Sequence, residues 1–437
     1  MEGSKITLKY FILLIQLILS TGFISARDAD TFLPENYETR REFINIITGS
    51  NSEIELQSDI IADSYITGRK VKFQILKRDN SWYFLFLNEK NDRSGSFFPV
   101  VSAGTYIIKR NIQSGNLEQI KVFLNNDPET YVRIAEHDNE SLLEFVLFGS
   151  KIYKDVLLPV TLEEFITQPF ESIIVMSDYI IDWNMLKAVY NETENTIIKN
   201  IASSIDAKLP LLKDSEDGAQ GPDGRFIFIE SLKNNPAQGF NCSGFTKWIS
   251  DGVYYAKTSR LMDINKLKKK NFKDRRDTLS LLYEDLRDPM FGLDWTRNIA
   301  MTIYELDHPD SEVRVADVDV TSYPYEIYIP DIGYPVSGLK ALLYYLAVTD
   351  PGYIYLGSIN GDFGKNPVLR QHYHIAALLP YISPEGDFYP ALYERNRKTD
   401  IDDFIKKYAG ESVHLVRIKA DKDYSLPPVP ESGIFDE

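Results

Sequence analysis

The chain has 437 residues, 48 basic and 64 acidic, with 43% hydrophobic and 13% aromatic residues and a net charge of −16. That composition is globular and sufficient for two cores, and its acidity argues against nucleic acid or anionic lipid as a partner. A single cysteine excludes an intrachain disulfide, so stability rests on packing.

Lys5 and Lys9, an apolar run from Tyr10 to Leu19 and the small residues ending at Ala26 have the three-part layout of a secretory signal peptide. Residues 1–26 are therefore expected to be removed, leaving the mature chain one unit more acidic. The apolar core is short for a membrane span. No later stretch reaches spanning length without charges, so a secreted or periplasmic protein with no membrane span is expected. The sequons at Asn139, Asn191 and Asn241 would be glycosylation sites in a eukaryote. The missing disulfides fit a bacterial periplasm better.

Residues 27–180 predict a strand-rich domain. Val71, Phe73 and Ile75 alternate with Lys70, Lys72 and Gln74, the period of a half-buried strand. Further strands are read at 82–87, 105–108, 120–124, 131–134, 142–148 and 152–160, with turn residues between them. Short, regularly spaced strands indicate an all-β sandwich or open barrel. Its one histidine, His137, sits in a polar turn, and nothing here suggests catalysis. The expected role is binding or positioning.

Near Asp182 the pattern changes, and Ile197, Ile198, Ile201 and Ile205 mark a helix. The polar loop 213–224 lacks the acidic and glycine register of a calcium loop. A short strand, 226–229, then leads to Asn241-Cys242-Ser243-Gly244-Phe245. Phe245, Trp248, Ile249 and Val253 lie on one helical stripe, which places Cys242 in the first turn with Asn241 as N-cap. Helix-start N–H groups and the dipole favour a thiolate there. The competing reading is a small buried hydrophobe. Gly239 and Gly244 leave room beside the thiol for a substrate or another backbone.

A thiol nucleophile needs a base and a group that orients the base. Of the five histidines, His308 lies in a turn and His414 within a strand. His372 and His374 stand before the apolar run 375–379, a buried strand. His372 is placed in a loop and His374 on the strand, so His374 is the expected base. Two positions apart, both could face Cys242. As a metal pair they lack a third ligand. There is no G-x-S-x-G elbow or H-E-x-x-H helix, so no metal and no cofactor are expected.

At these residues the chain resembles the NlpC/P60-type cysteine peptidases and amidases, which have a papain-like fold. Asn241-Cys242-Ser243-Gly244-Phe245 is similar to the family's Asp-Cys-Ser-Gly-Phe/Leu, residues 350–356 to its Pro-Gly-Asp strand, and His374-Ile375-Ala376 to its His-Val-Gly/Ala. The resemblance covers about residues 225–400. Asn241 and Tyr353 stand where the family has Asp. Cys242 and His374 are 132 positions apart, which implies a large insertion at about 257–345 containing the basic run 266–276 and Trp295. Family members carry a polar residue one strand past the histidine. Glu394 is the first choice and Asn396 the second, to fix the imidazole tautomer. The oxyanion hole would use the Cys242 N–H, with Gln238 as a side-chain candidate.

The expected architecture is thus α+β: an all-β domain, then a papain-like domain over 181–437 with a disordered tail from about 425. The function implied is hydrolysis of an amide or peptide bond through a Cys242 thioester, with a peptide or peptidoglycan stem peptide as substrate. A non-catalytic envelope protein that binds peptide or glycan on the same fold is the alternative.

Overall fold

The computed structural model describes residues 33–64, 68–92, 95–186, 190–230, 238–273, 288–366 and 368–429. The signal-peptide reading, residues 274–276 of the basic run and the tail from 430 lie outside them. The protein is mixed α+β with two large antiparallel sheets.

The first sheet is an eight-stranded up-and-down meander: β1 (Ile60–Asp63), β2 (Lys70–Arg78), β3 (Ser81–Asn88), β4 (Tyr106–Asn111), β5 (Leu117–Phe123), β6 (Tyr131–His137), β7 (Glu140–Leu147) and β8 (Ser150–Leu158). Its apolar face carries Phe73, Phe84, Ile108, Ile134 and Phe145, all inaccessible to solvent. Each such side chain contributes roughly 1.5–3 kcal/mol on burial. Among the described residues no second large sheet packs on this face, so of the sandwich and open-barrel alternatives the sandwich is corrected, and the domain is not all-β. Helices cover the face instead: α1 (Tyr37–Glu42), α2 (Ile44–Thr48), α3 (Asn51–Glu55), α4 (Leu162–Ile166) and α5 (Phe170–Ser177), through Phe43, Ile47, Ile54, Phe165 and Ile173. These helices have five to eight residues each. They are too short for a helical period to stand out in sequence. Trp183 and Met185 still belong to this core, whereas Ile198, on α6 (Glu192–Lys208), belongs to the next.

The second sheet has six strands, β9 (Tyr334–Pro335), β10 (Tyr353–Phe363), β11 (Leu369–Ile382), β12 (Phe388–Glu394), β13 (Arg397–Thr399) and β14 (Ser412–Lys419), in the order β9-β14-β10-β11-β12-β13. Both faces are covered. Ile375, Ala377 and Leu379 of β11 pack with α6, α7 (Cys242–Thr258) and α8 (Phe291–Asp307). Ala376 and Leu378 pack with α9 (Leu339–Thr349) and α10 (Ile401–Lys407). The continuous apolar run 375–379 is the sequence mark of that double burial.

The segment read as an insertion supplies α8, whose Trp295, Ile299 and Ala300 are core residues. Trp295 Nε1 donates to the Ser243 carbonyl at 3.0 Å, so Trp295 is a packing anchor. One expectation is corrected here in part: the tail, read as disordered from 425, is fastened as far as 429, where the Pro427 carbonyl accepts from Trp248 Nε1 (3.0 Å) and the Pro428 carbonyl from Gln220 Nε2 (2.9 Å). The two units meet at α9, where Phe148 and Phe388 pack on Tyr344 and Lys340 bonds Asp127 at 3.0 Å.

Candidate active site

Helix α7 starts as its sequence dictates. The Asn241 side chain accepts the Gly244 N–H at 2.8 Å, and Phe245, Trp248, Ile249 and Val253 are fully buried. The flanking glycines admit backbone rather than substrate. A Cβ on Gly244 would lie 2.0 Å from the Gly218 carbonyl oxygen, and one on Gly239 would lie 2.2 Å from that of Lys213. The hairpin Gly218–Gln220 with Phe226–Phe228 therefore presses on the helix start from one side, and Trp295 holds it from the other. Cys242 is fixed in place and half-buried at the floor of a cleft of about 1090 Å³.

The helix start abuts β11 beyond the last β11–β12 pair, Ala377 with Tyr393, where the strand edge is open. The sulfur lines the same cleft as His374, close enough for the imidazole and the Ile375 N–H to act on its charge. His374 Nε2 lies 2.7 Å from Glu394 Oε2, which leaves Nδ1 for the sulfur. Burial alone would raise the thiol's pKa, but the hydrogen bond and charge of His374, with the Ile375 N–H and the Ser243 hydroxyl, bring it below its ordinary value. Burial alone would lower the imidazole's, yet Cys242 and Glu394 raise it. Opposite shifts in neighbouring groups are the signature of a thiolate–imidazolium pair.

Glu394 is 1% exposed. Burial would raise its pKa, but hydrogen bonds from His374, Arg397 and Lys407 hold it well below the usual carboxylate range. Asn396 is not the orienting group. Arg395 and Asn396 both have positive φ (42° and 63°), which turns the chain away from β12. The Asn396 amide donates to the Lys213 and Phe240 carbonyls instead.

His372 also departs from expectation. It lies within β11, not in a loop. Opposite β10, His374 pairs with Ile359 and His372 with Asn360, so Tyr373 is an extra, bulged residue. The bulge places the two histidines on opposite faces, since cross-strand partners share a face. His372 is buried, with Nδ1 2.9 Å from Ser358 Oγ, and does not line the cleft. The pair cannot share a metal. Gln238 is exposed and does not line the cleft either. His308 caps α8 in an exposed turn. His414 is fully buried beside Arg297 and Asp319, and burial lowers its pKa. Sequence reasoning missed Arg397, Lys407 and Tyr408, which surround Glu394; no local pattern marks them.

Fold and site together are those of an α+β protein with a Cys–His–Glu chain at a helix start. Residues 30–185 match a family model described as a domain of unknown function, DUF8515. The match coincides with the meander sheet and its helices and ends before α7. Neither a curated protein nor a solved structure matches the chain. Among the described residues, no helix is long and apolar enough to cross a membrane.

Proposed function

We propose that the protein is a cysteine hydrolase of the NlpC/P60 type that cleaves an amide or peptide bond. The observation that supports this most is the placement of Cys242 and His374 in one cleft at the open edge of β11, with the sulfur and imidazole acting on each other's charge and His374 Nε2 2.7 Å from Glu394. In the reaction, the thiolate attacks the substrate carbonyl carbon and forms a tetrahedral intermediate. Its oxyanion takes up backbone N–H groups at the helix start, including that of Cys242. The His374 imidazolium gives its Nδ1 proton to the departing amine, the C–N bond breaks and a thioester remains. Water, deprotonated by the now neutral His374, attacks the thioester, the C–S bond breaks, and the acid leaves with the thiolate and imidazolium restored. Glu394 keeps the ring oriented throughout and stays ionised.

The leader-like residues 1–26 support a secretory or periplasmic setting for this activity, where a peptidoglycan stem peptide is the natural substrate class. The meander domain would position that substrate. The test is alkylation by iodoacetamide at pH 6, followed by mass spectrometry. Rapid modification of Cys242 that is lost in His374→Ala supports the reading. An alkylation rate equal to that of a free thiol, unchanged by His374→Ala, overturns it. Release of amines from purified peptidoglycan, abolished in Cys242→Ala, tests the substrate class.

A further inference from the structure

Glu394 has more donors than an orienting carboxylate needs. Its Oε2 accepts from His374 Nε2 (2.7 Å), Tyr408 OH (3.1 Å) and Lys407 Nζ (3.2 Å). Its Oε1 accepts from Arg397 Nη2 (2.7 Å), Lys407 Nζ (3.0 Å) and Thr399 Oγ1 (3.2 Å). One buried anion thus faces two cations besides the imidazolium. The Tyr408 ring also lies against the imidazole, with centroids 5.5 Å apart and planes at 22°, and Lys407 Nζ stands 4.6 Å above the Tyr408 ring. Lys407 ends α10 and Tyr408 caps it. A single helix end therefore reaches both the carboxylate and the base.

We propose that Lys407 and Tyr408 are positioning residues that set the orientation and restrain the basicity of His374 through Glu394. This rests on the cysteine-hydrolase reading above. An unshielded carboxylate 2.7 Å from the ring would hold the imidazolium proton too firmly for transfer to a leaving amine. The Lys407 charge and the Tyr408 hydroxyl share that negative charge and weaken its pull. The stacked Tyr408 ring keeps water off the Nε2–carboxylate bond, where the hydrogen bond is strongest. The other groups that face the pair are the Cys242 thiolate from α7, Tyr373 from β11, Arg397 from β13, and Arg395, whose charge interacts with the sulfur while its guanidinium bonds Asp214. Glu216, Asp217 and Glu230 also line the cleft. None of these takes the place of Lys407 at Glu394 Oε2.

The test is the full pH dependence of Cys242 alkylation by iodoacetamide, which needs no knowledge of the natural substrate. The wild type gives two steps: a lower one where the thiolate forms beside the imidazolium, and an upper one where the imidazolium loses its proton. Lys407→Met removes a cation near both and moves both steps up by about 0.5–1 pH unit. Tyr408→Phe keeps the ring, removes the hydroxyl and moves the upper step up by a smaller amount. Lys407→Arg keeps the charge and restores both steps. A merely structural role would instead narrow the interval between the steps, because a loosened ring weakens the pair. An unchanged profile or a lowered upper step in Lys407→Met overturns the proposal. Should Lys407→Met fold poorly, the Lys407→Gln profile and the His374 imidazole titration by NMR in Tyr408→Phe give the same decision. A wild type without a low-pH step overturns the hydrolase reading itself; two wild-type steps that the variants leave in place overturn only this inference.

Discussion

Glu394→Gln isolates one charge in the site. The amide matches the carboxylate in shape and can still accept from His374 Nε2, so the perturbation is electrostatic. For the base, the change weakens a charge-assisted hydrogen bond of 2.7 Å to a carboxylate that is 1% exposed, while the pairing of that charge with Arg397 and Lys407 is lost as well. Such bonds contribute about 1.5–3 kcal/mol. The His374 side chain is 14% exposed, so solvent recovers part of this and the lower half of the range applies. Since one pKa unit corresponds to about 1.4 kcal/mol, the imidazolium should lose roughly one to one and a half units of stabilisation. The thiolate population at pH 6 then falls about 10- to 30-fold. The assay is the second-order rate of iodoacetamide alkylation at pH 6 and pH 9.5. The variant should lose that factor at pH 6 and match the wild type at pH 9.5, where bulk hydroxide makes the thiolate. A rate at pH 6 within twofold of wild type would refute the reasoning. An equal loss at both pH values would mean a blocked sulfur, which also counts against it.

Three further outcomes are expected. His372→Ala should cost about 1–3 kcal/mol in urea unfolding, from the lost Ser358 bond and a buried void, and leave the alkylation profile unchanged; a shifted profile would bring His372 back as a base. Arg297 is 2% exposed and bonds Asp319 at 2.6 Å and Asp331 at 2.9 Å, so Arg297→Met should cost about 3–5 kcal/mol near neutral pH by stranding two buried carboxylates. Burial would raise the Asp319 pKa, but His414 and Arg297 lower it; a depressed carboxylate contributes stability above its unfolded pKa, about 3.9, and loses it only as pH falls through the lower folded value, so the variant's deficit should hold from pH 7 down to about pH 4 and shrink below that, and a deficit that stays equal below about pH 4 would contradict the pairing. Truncation after Tyr424 removes the carbonyl partners of Trp248 and Gln220 and should lower stability by about 2–4 kcal/mol; an unchanged urea midpoint would return the tail to the disordered reading.

The sequence by itself determined what depends on local periodicity and capping. The stripe Phe245, Trp248, Ile249 and Val253 behind Asn241 is enough to put Cys242 in a helical first turn, and the apolar run 375–379 is enough to bury β11 on both faces. The strand alternation of the meander was legible for the same reason: a period reports which face is buried. It does not report what buries it. The meander is covered by helices of five to eight residues, too short to show a period. The supposed insertion contributes α8 to the core, and the proline-rich tail docks on Trp248 from 179 positions away. The choice between Glu394 and Asn396 was open in sequence because both would share a strand face. The positive φ of Arg395 and Asn396 ended that strand at Glu394 and turned Asn396 elsewhere. The bulge at Tyr373 likewise separated two histidines that strict alternation would have kept together. Arg397 reaches Glu394 across the β12–β13 turn, but the approach of Lys407 and Tyr408 was decided by tertiary structure alone, because a buried carboxylate recruits such donors through space and leaves no short spacing in the chain to read.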